Sequence, residues 1–160
     1  MQKIVTSLWF DDEAEEAAKF YCSIFPNSKI TKLSRYGSAG PRPEGMVMTV
    51  SFELDGNKFV ALNGGPDFKF NEAISVVVEC EDQTEVDRLW AALTKDGGEP
   101  GPCGWLKDRF GLSWQIAPRE LQEMFDSPDK EGGRRAMEAM LKMSKLDIEG
   151  LKKAYEGRSP

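Results

Sequence analysis

Histidine is absent from the 160 residues. That excludes the imidazole bases and metal ligands most often found in binding grooves, so a thiol or hydroxyl nucleophile has no Cys–His or Ser–His partner to activate it. Cysteine is scarce. Cys22, Cys80 and Cys103 are odd in number, widely spaced and free of any C-x-x-C pattern, which argues against a disulfide framework and against a zinc knuckle. No apolar run approaches the ~20 residues needed to span a bilayer. Asp11-Asp12 follow the first apolar stretch too soon for a secretory signal, so a cytoplasmic protein is expected. Basic residues are the minority, 21 against 27 acidic, for a formal charge of -6. The expected partners therefore include neither nucleic acid, whose phosphates call for basic patches, nor an anionic membrane surface.

What remains is 40% apolar residues, enough to bury the core of one domain or of two small halves. The most informative pattern is a repeat. Ile4–Phe10 reads as a strand, Asp11–Glu15 as a turn, and the segment through Phe20-Tyr21 as a helix. Ile74–Cys80, Glu81–Glu85 and the segment carrying Leu89-Trp90 repeat that order. A duplicated unit implies two similar halves with a groove where they meet.

In the first half, Asp12 with Glu15 reads as a helix cap, and Ala14, Ala17, Ala18, Tyr21, Cys22 and Phe25 fall at helical spacing. Pro26-Asn27 ends that helix. Strands are expected over 29–36, 46–54 and 58–62, with Asp55-Gly56-Asn57 as a hairpin turn and 37–45 as a mobile loop. In the second half Asp82 caps a helix whose buried face is Val86, Leu89, Trp90 and Leu93, and Gly97-Gly98 ends it. Short strands follow near 99–102 and 104–107, and a last one over 112–117. Helices are expected in the tail over 119–125, 129–143 and 148–155, with Ser127-Pro128 opening the second and Asp147 capping the third. Leu121, Met124, Phe125, Met137, Met140, Leu141 and Met143 make the tail amphipathic. Such a face covers a sheet or a partner chain, or serves as an adaptable docking surface.

Few residues carry chemistry. Cys103 beside Gly104 could be a nucleophile if Lys107 or a helix N-terminus lowered its pKa, but a structural thiol is the simpler reading. Glu53, Glu79 and Glu81 fall at strand ends or turns with nothing to pair them as acid and base.

Trp9-Phe10-Asp11 with Phe20-Tyr21, Ala61–Pro66 with Phe68–Glu72, Cys80–Gln83 with Val86-Asp87 and Trp90, and Cys103–Asp108 through Gly111–Ile116 resemble the PhnB-like branch of the vicinal oxygen chelate superfamily. That branch often carries the label 3-demethylubiquinone-9 3-methyltransferase, and the superfamily includes glyoxalase I, extradiol dioxygenases and fosfomycin- and bleomycin-resistance proteins. The resemblance covers about residues 3–118, with the tail typical of the branch. It implies an α+β fold: two βαβββ modules (about 1–65 and 72–118) as U-shaped mixed sheets enclosing a cavity, followed by C-terminal helices over 119–160. It also implies a homodimer. Metal ligands in such proteins come from the first and last strands of each module, which carries here onto Thr6, Ala61 or Asn63, Ser75 and Gln115. These offer only neutral oxygens where a divalent ion wants carboxylate or imidazole, so no metal and no other cofactor is expected.

The resemblance therefore implies a binding protein for a small organic ligand in the inter-module cavity. Thr6, Asn63, Ser75 and Gln115 are its expected anchors, and Leu8, Phe10, Cys103 and Trp105 its expected walls. Strand alternation would place Leu8 and Phe10 with Thr6 on the cavity side, with Trp9 and Trp114 against the helices. The alternative is an enzyme of the same fold, a metal-dependent lyase, isomerase or dioxygenase, or the labelled methyltransferase. Against the last, adenosylmethionine-dependent methyltransferases commonly place a glycine-rich loop after the first strand, where this chain has Phe10-Asp11-Asp12. No catalytic residue is singled out.

Overall fold

A computed structural model describes residues 2–158. The chain divides into two compact units, residues 1–70 and 71–160, so the helical tail belongs with the second half. The first unit contains β1 (Thr6–Phe10), α1 (Ala14–Ile24), β2 (Lys29–Arg35), β3 (Val47–Leu54) and β4 (Asn57–Asn63). The second contains β5 (Ser75–Cys80), α2 (Gln83–Thr94), β6 (Glu99–Pro100), β7 (Trp105–Lys107) and β8 (Ser113–Pro118), then α3 (Arg119–Asp126), α4 (Lys130–Met140) and α5 (Ile148–Tyr155). Sheet orders are β1-β4-β3-β2 and β5-β8-β7-β6. In each, the first and last strands of the repeat pair in parallel and the other pairs are antiparallel. The duplication visible in the sequence is thus a duplication of topology.

Helix α1 forms because alanines and one tyrosine recur on a single stripe. Ala14, Ala17, Ala18, Tyr21 and Ile24 are buried, and the Tyr21 ring lies 6.3 Å from that of Phe52 on β3. Burying side chains of the size of Tyr21 and Phe52 stabilises by roughly 2–3 kcal/mol each. Phe25 is extended, as a residue before proline must be, and stops the helix. The expected Asp12 cap does not form. The helix starts two residues later, its cap position is Glu13, and no local side chain caps it. Instead Asn63 at the end of β4 reaches across, and its Oδ1 accepts the Ala14 N–H at 2.8 Å. A distant residue does what a neighbour was expected to do, a contact that local spacing does not encode.

The second helix keeps its predicted cap. Asp82 Oδ1 accepts the Glu85 N–H at 2.8 Å, and Val86, Leu89 and Leu93 are buried, with Trp90 only partly so. The β3–β4 hairpin turns through Asp55 (φ 47°) and Gly56 (φ 78°), the two left-handed residues of a type I′ turn that matches strand twist. In the tail, α4 begins at Lys130 rather than at Ser127-Pro128, capped by Asp129, whose Oδ1 accepts the Gly132 N–H at 3.0 Å. Asp147 precedes α5 without a capping bond; the Ile148 N–H goes to Gln83 Oε1 at 2.8 Å. Leu121, Met124, Ala136, Leu146 and Leu151 form a core of their own, against which Met140 and Met143 pack. Most of the methionine face therefore closes on the tail itself, leaving Met137 and Leu141 exposed. Among the described residues no helix is long and apolar enough to cross a membrane.

Candidate functional site

Residues directly opposite across neighbouring strands project to the same face of a sheet. In the first sheet Leu8, Ala61 and Val50 make one such row, and Phe10 pairs with Asn63. These residues are all buried, as is the α1 stripe. Leu8, Phe10 and Asn63 therefore lie on the helix-covered face, not on the open one. This corrects the expectation that they line a cavity. Asn63 is 2% exposed, and both ends of its amide are engaged: Oδ1 at Ala14 N–H, Nδ2 donating to the Val47 carbonyl at 3.0 Å. Thr6 has the parity of Leu8 and stands exposed at the start of β1. Trp9 has the other parity. Rather than packing on α1, it donates from Nε1 to the Gly65 carbonyl at 2.8 Å and meets Phe68 edge-on at 4.9 Å. The cause is register. Phe10 and Cys80 are the buried terminal residues of the two first strands, so Thr6 corresponds to Val76, while Ser75 corresponds to Val5. An offset of one residue moves a side chain to the opposite face.

The second sheet does assemble expected residues. Gln115 pairs with Trp105 across β8 and β7, and Gln115 Nε2 donates to Ser75 Oγ at 2.9 Å. One row further along the same face, Ser75, Ser113 and Lys107 stand side by side. Trp114 has the other parity and is buried; its Nε1 donates to Asp108 Oδ2 at 2.9 Å. A cavity of about 480 Å³ is lined by Cys103, Trp105, Lys107, Ser113, Glu72 and Glu99, among others. Ser75 and Gln115 lie beside it on the same face but do not line it. Ser113 is the residue that reading the sequence missed. Its signal was there: it stands two before Gln115 on one strand, and so on the same face.

The cavity has charge at its edge. Lys107 and Glu72 form a hydrogen-bonded ion pair, which lowers the Glu72 pKa and raises that of Lys107. Both side chains are well exposed, so solvent screens the pair and its contribution to stability is small. Glu81 is engaged by Arg119 at 2.8 Å. Among the thiols, burial pushes Cys80 up to about 12 and raises Cys22 as well. Cys80 is fully buried, whereas Cys22 and Cys103 are partly exposed. Alkylation of the folded protein with iodoacetamide at pH 8 is therefore expected to reach Cys103 and Cys22 while Cys80 reacts only after unfolding. Intact-mass spectrometry with and without urea checks this, and a third adduct in the native protein would contradict it.

The positions that the resemblance marks for metal do not fit a divalent ion. Ala61 has no donor. Thr6 and Asn63 belong to one face of the first sheet, and the Asn63 amide already holds α1 and β3. Ser75 and Gln115 bond to each other and bring no charge. Four neutral groups would leave a dication uncompensated. Among the described residues no three His, Cys, Asp or Glu side chains gather into a metal-holding set.

Two βαβββ repeats, each with a helix packed on one face of a mixed four-stranded sheet, define a protein of the vicinal oxygen chelate fold. The chain belongs to the 3-demethylubiquinone-9 3-methyltransferase family, the PhnB-like proteins, whose profile matches residues 2–117. It is similar to a PhnB protein from Bacillus cereus, with 36% identity over 73% of this chain and 99% of that one and a TM-score of 0.65. Protein PA1353 from Pseudomonas aeruginosa shares the fold at 20% identity, covering 74% of this chain and 98% of that one, with a TM-score of 0.60. The fosfomycin resistance protein FosX from Listeria monocytogenes shares it at 14% identity, covering 79% and 98%, with a TM-score of 0.56. Among curated proteins none matches. The family match stops at residue 117, so α3, α4 and α5 lie beyond it.

Proposed function

We propose that the protein binds a small, largely apolar organic molecule in the cavity of its second half, without a metal, and works as a cytoplasmic homodimer. The observation that carries the binding reading is Ser113. Its side chain is 1% exposed and lines the cavity, yet among the described residues its Oγ has no hydrogen-bond partner. A buried hydroxyl left unbonded is costly, and a ligand with one polar group would satisfy it once the neighbouring lining side chains shift to admit it. Trp105 offers a flat apolar wall and Cys103 a small polarisable one, the lining expected for a planar ligand. Two carboxylates, Glu72 and Glu99, against one ammonium, Lys107, favour a neutral or cationic molecule over an anion.

The methyltransferase activity in the family's label receives no support from the first strand-to-helix junction. It is acidic and glycine-free, and the first helical N–H of α1 is already taken by Asn63.

Titration with the neutral fluorophore N-phenylnaphthylamine tests the reading. Saturable binding is expected, unchanged by EDTA or by added Mn²⁺. Ser113→Ala should weaken a polar, hydrogen-bonding analogue of the probe by about 3- to 10-fold, the worth of one hydrogen bond. Trp105→Ala should weaken every aromatic probe. Binding that requires Mn²⁺, or that ignores Trp105→Ala, would overturn the reading. Sedimentation velocity at micromolar concentration decides the dimer, and a single monomer boundary would refute it.

A further inference from the structure

Gly101, Pro102 and Cys103 line the cavity, and the backbone where this wall ends, at Cys103 and Gly104, is unusual. Cys103 has φ 59° and Gly104 φ 84°, so two successive residues are left-handed, the first of them not a glycine. A side chain held there persists only where the surroundings over-determine it. Those surroundings come from the tail. The Cys103 N–H donates to the Met143 carbonyl and the Gly104 N–H to the Ser144 carbonyl, each at 2.8 Å. Ser144 Oγ donates back to the Gly101 carbonyl at 2.7 Å. A Cβ on Gly104 would stand 2.9 Å from Leu146 Cδ1 and 2.9 Å from the Ile116 carbonyl, so the wall and the tail are in close contact. The tail segment is fixed in turn by Gln83 of α2. Its Nε2 donates to the Leu146 carbonyl at 3.1 Å and its Oε1 accepts the Ile148 N–H at 2.8 Å.

We propose that the segment Met143–Leu146 is a strap that sets the shape of the ligand cavity, with Ser144 and Gln83 as its positioning residues. Helices α3 to α5 would then tune the site as well as extend the fold. This rests on the cavity being the ligand site, but the strap has a mechanical consequence that can be read without any ligand. The strap lies outside the residues matched by the family profile.

Three variants in the full-length chain test it: Ser144→Ala, which removes the hydroxyl that holds Gly101; Ser144→Thr, which keeps it; and Gln83→Ala, which releases the strap from α2. Ser144 is exposed, so its variants should keep the wild-type melting temperature. Amide exchange over 101–105 and the rate of Cys103 alkylation are measured without ligand. N-phenylnaphthylamine affinity is measured separately. Ser144→Ala is expected to speed both exchange and alkylation by about 3- to 10-fold, the loss of one hydrogen bond. It should weaken the probe by a similar factor, with Thr restoring both. Gln83→Ala should do more. If exchange and alkylation are unchanged in Ser144→Ala and Gln83→Ala, the strap is refuted even where the wild type binds the probe. If those rates rise but no variant nor the wild type binds, the ligand reading fails and the strap stands as a mechanical feature. If the rates rise while probe affinity is unchanged, the strap does not shape the site and the proposal falls.

Discussion

Asn63→Leu will destabilise the protein by about 2–4 kcal/mol, because it strands the buried Ala14 N–H, at a cost of about 1–3 kcal/mol, and removes the amide's bond to the half-buried Val47 carbonyl. Leucine fills a similar volume, so the loss reports the hydrogen bonds rather than a cavity. Tyr36 adds a third link to this point by donating from its hydroxyl to the Asn63 main-chain carbonyl at 2.7 Å, a contact the substitution leaves in place. Urea unfolding measures the change. Under conditions where the variant is folded, N-phenylnaphthylamine affinity should be that of the wild type, since Asn63 does not line the cavity. A loss below about 0.5 kcal/mol, the scatter of ordinary surface changes, would show that the amide does not anchor the helix.

Asp108→Asn will cost a comparable amount, about 2–4 kcal/mol, for an electrostatic reason. Asp108 is 2% exposed. Its Oδ1 accepts from the Phe110 and Leu112 amides at 2.9 and 3.1 Å, and its Oδ2 accepts from Trp114 Nε1 at 2.9 Å. All three bonds need an acceptor. Asparagine supplies one on only one side, so either two backbone amides or the indole must face an amino group. Asp108→Ala removes both acceptors and should be worse than Asn. Denaturation curves with near-ultraviolet circular dichroism, which reports the packing of Trp114, separate the variants. Equal stability of the Asn and Ala variants would refute a role for the acceptor oxygens.

How far the chain could be read follows from the range of the forces involved. The α1 and α2 stripes, the Asp82 cap and the Asp55-Gly56 turn were legible because each depends on residues a few positions apart. The doubling was legible because strand, acidic turn and helix recur in the same order. The family was legible from its motifs. The site was not. Thr6, Leu8, Phe10 and Asn63 were expected with Ser75 and Gln115, yet parity sends Leu8, Phe10 and Asn63 under α1. The amphipathic tail read as cover or docking surface. That it would close on itself and hold residues 101–104 depended on bonds spanning some forty positions.

The sequence by itself determined the doubled βαβββ plan, the family, the missing imidazoles and the neutrality of the inherited ligand positions. Those are matters of composition, local periodicity and which atoms each side chain owns. Tertiary structure alone decided that Asn63 is a helix anchor, that Ser113 lines one cavity with Trp105 and is unbonded among the described residues, and that the tail grips the Cys103 wall. Each of these turns on strand register and on pairs distant in sequence, and a shift of one residue in register exchanges a buried face for an open one.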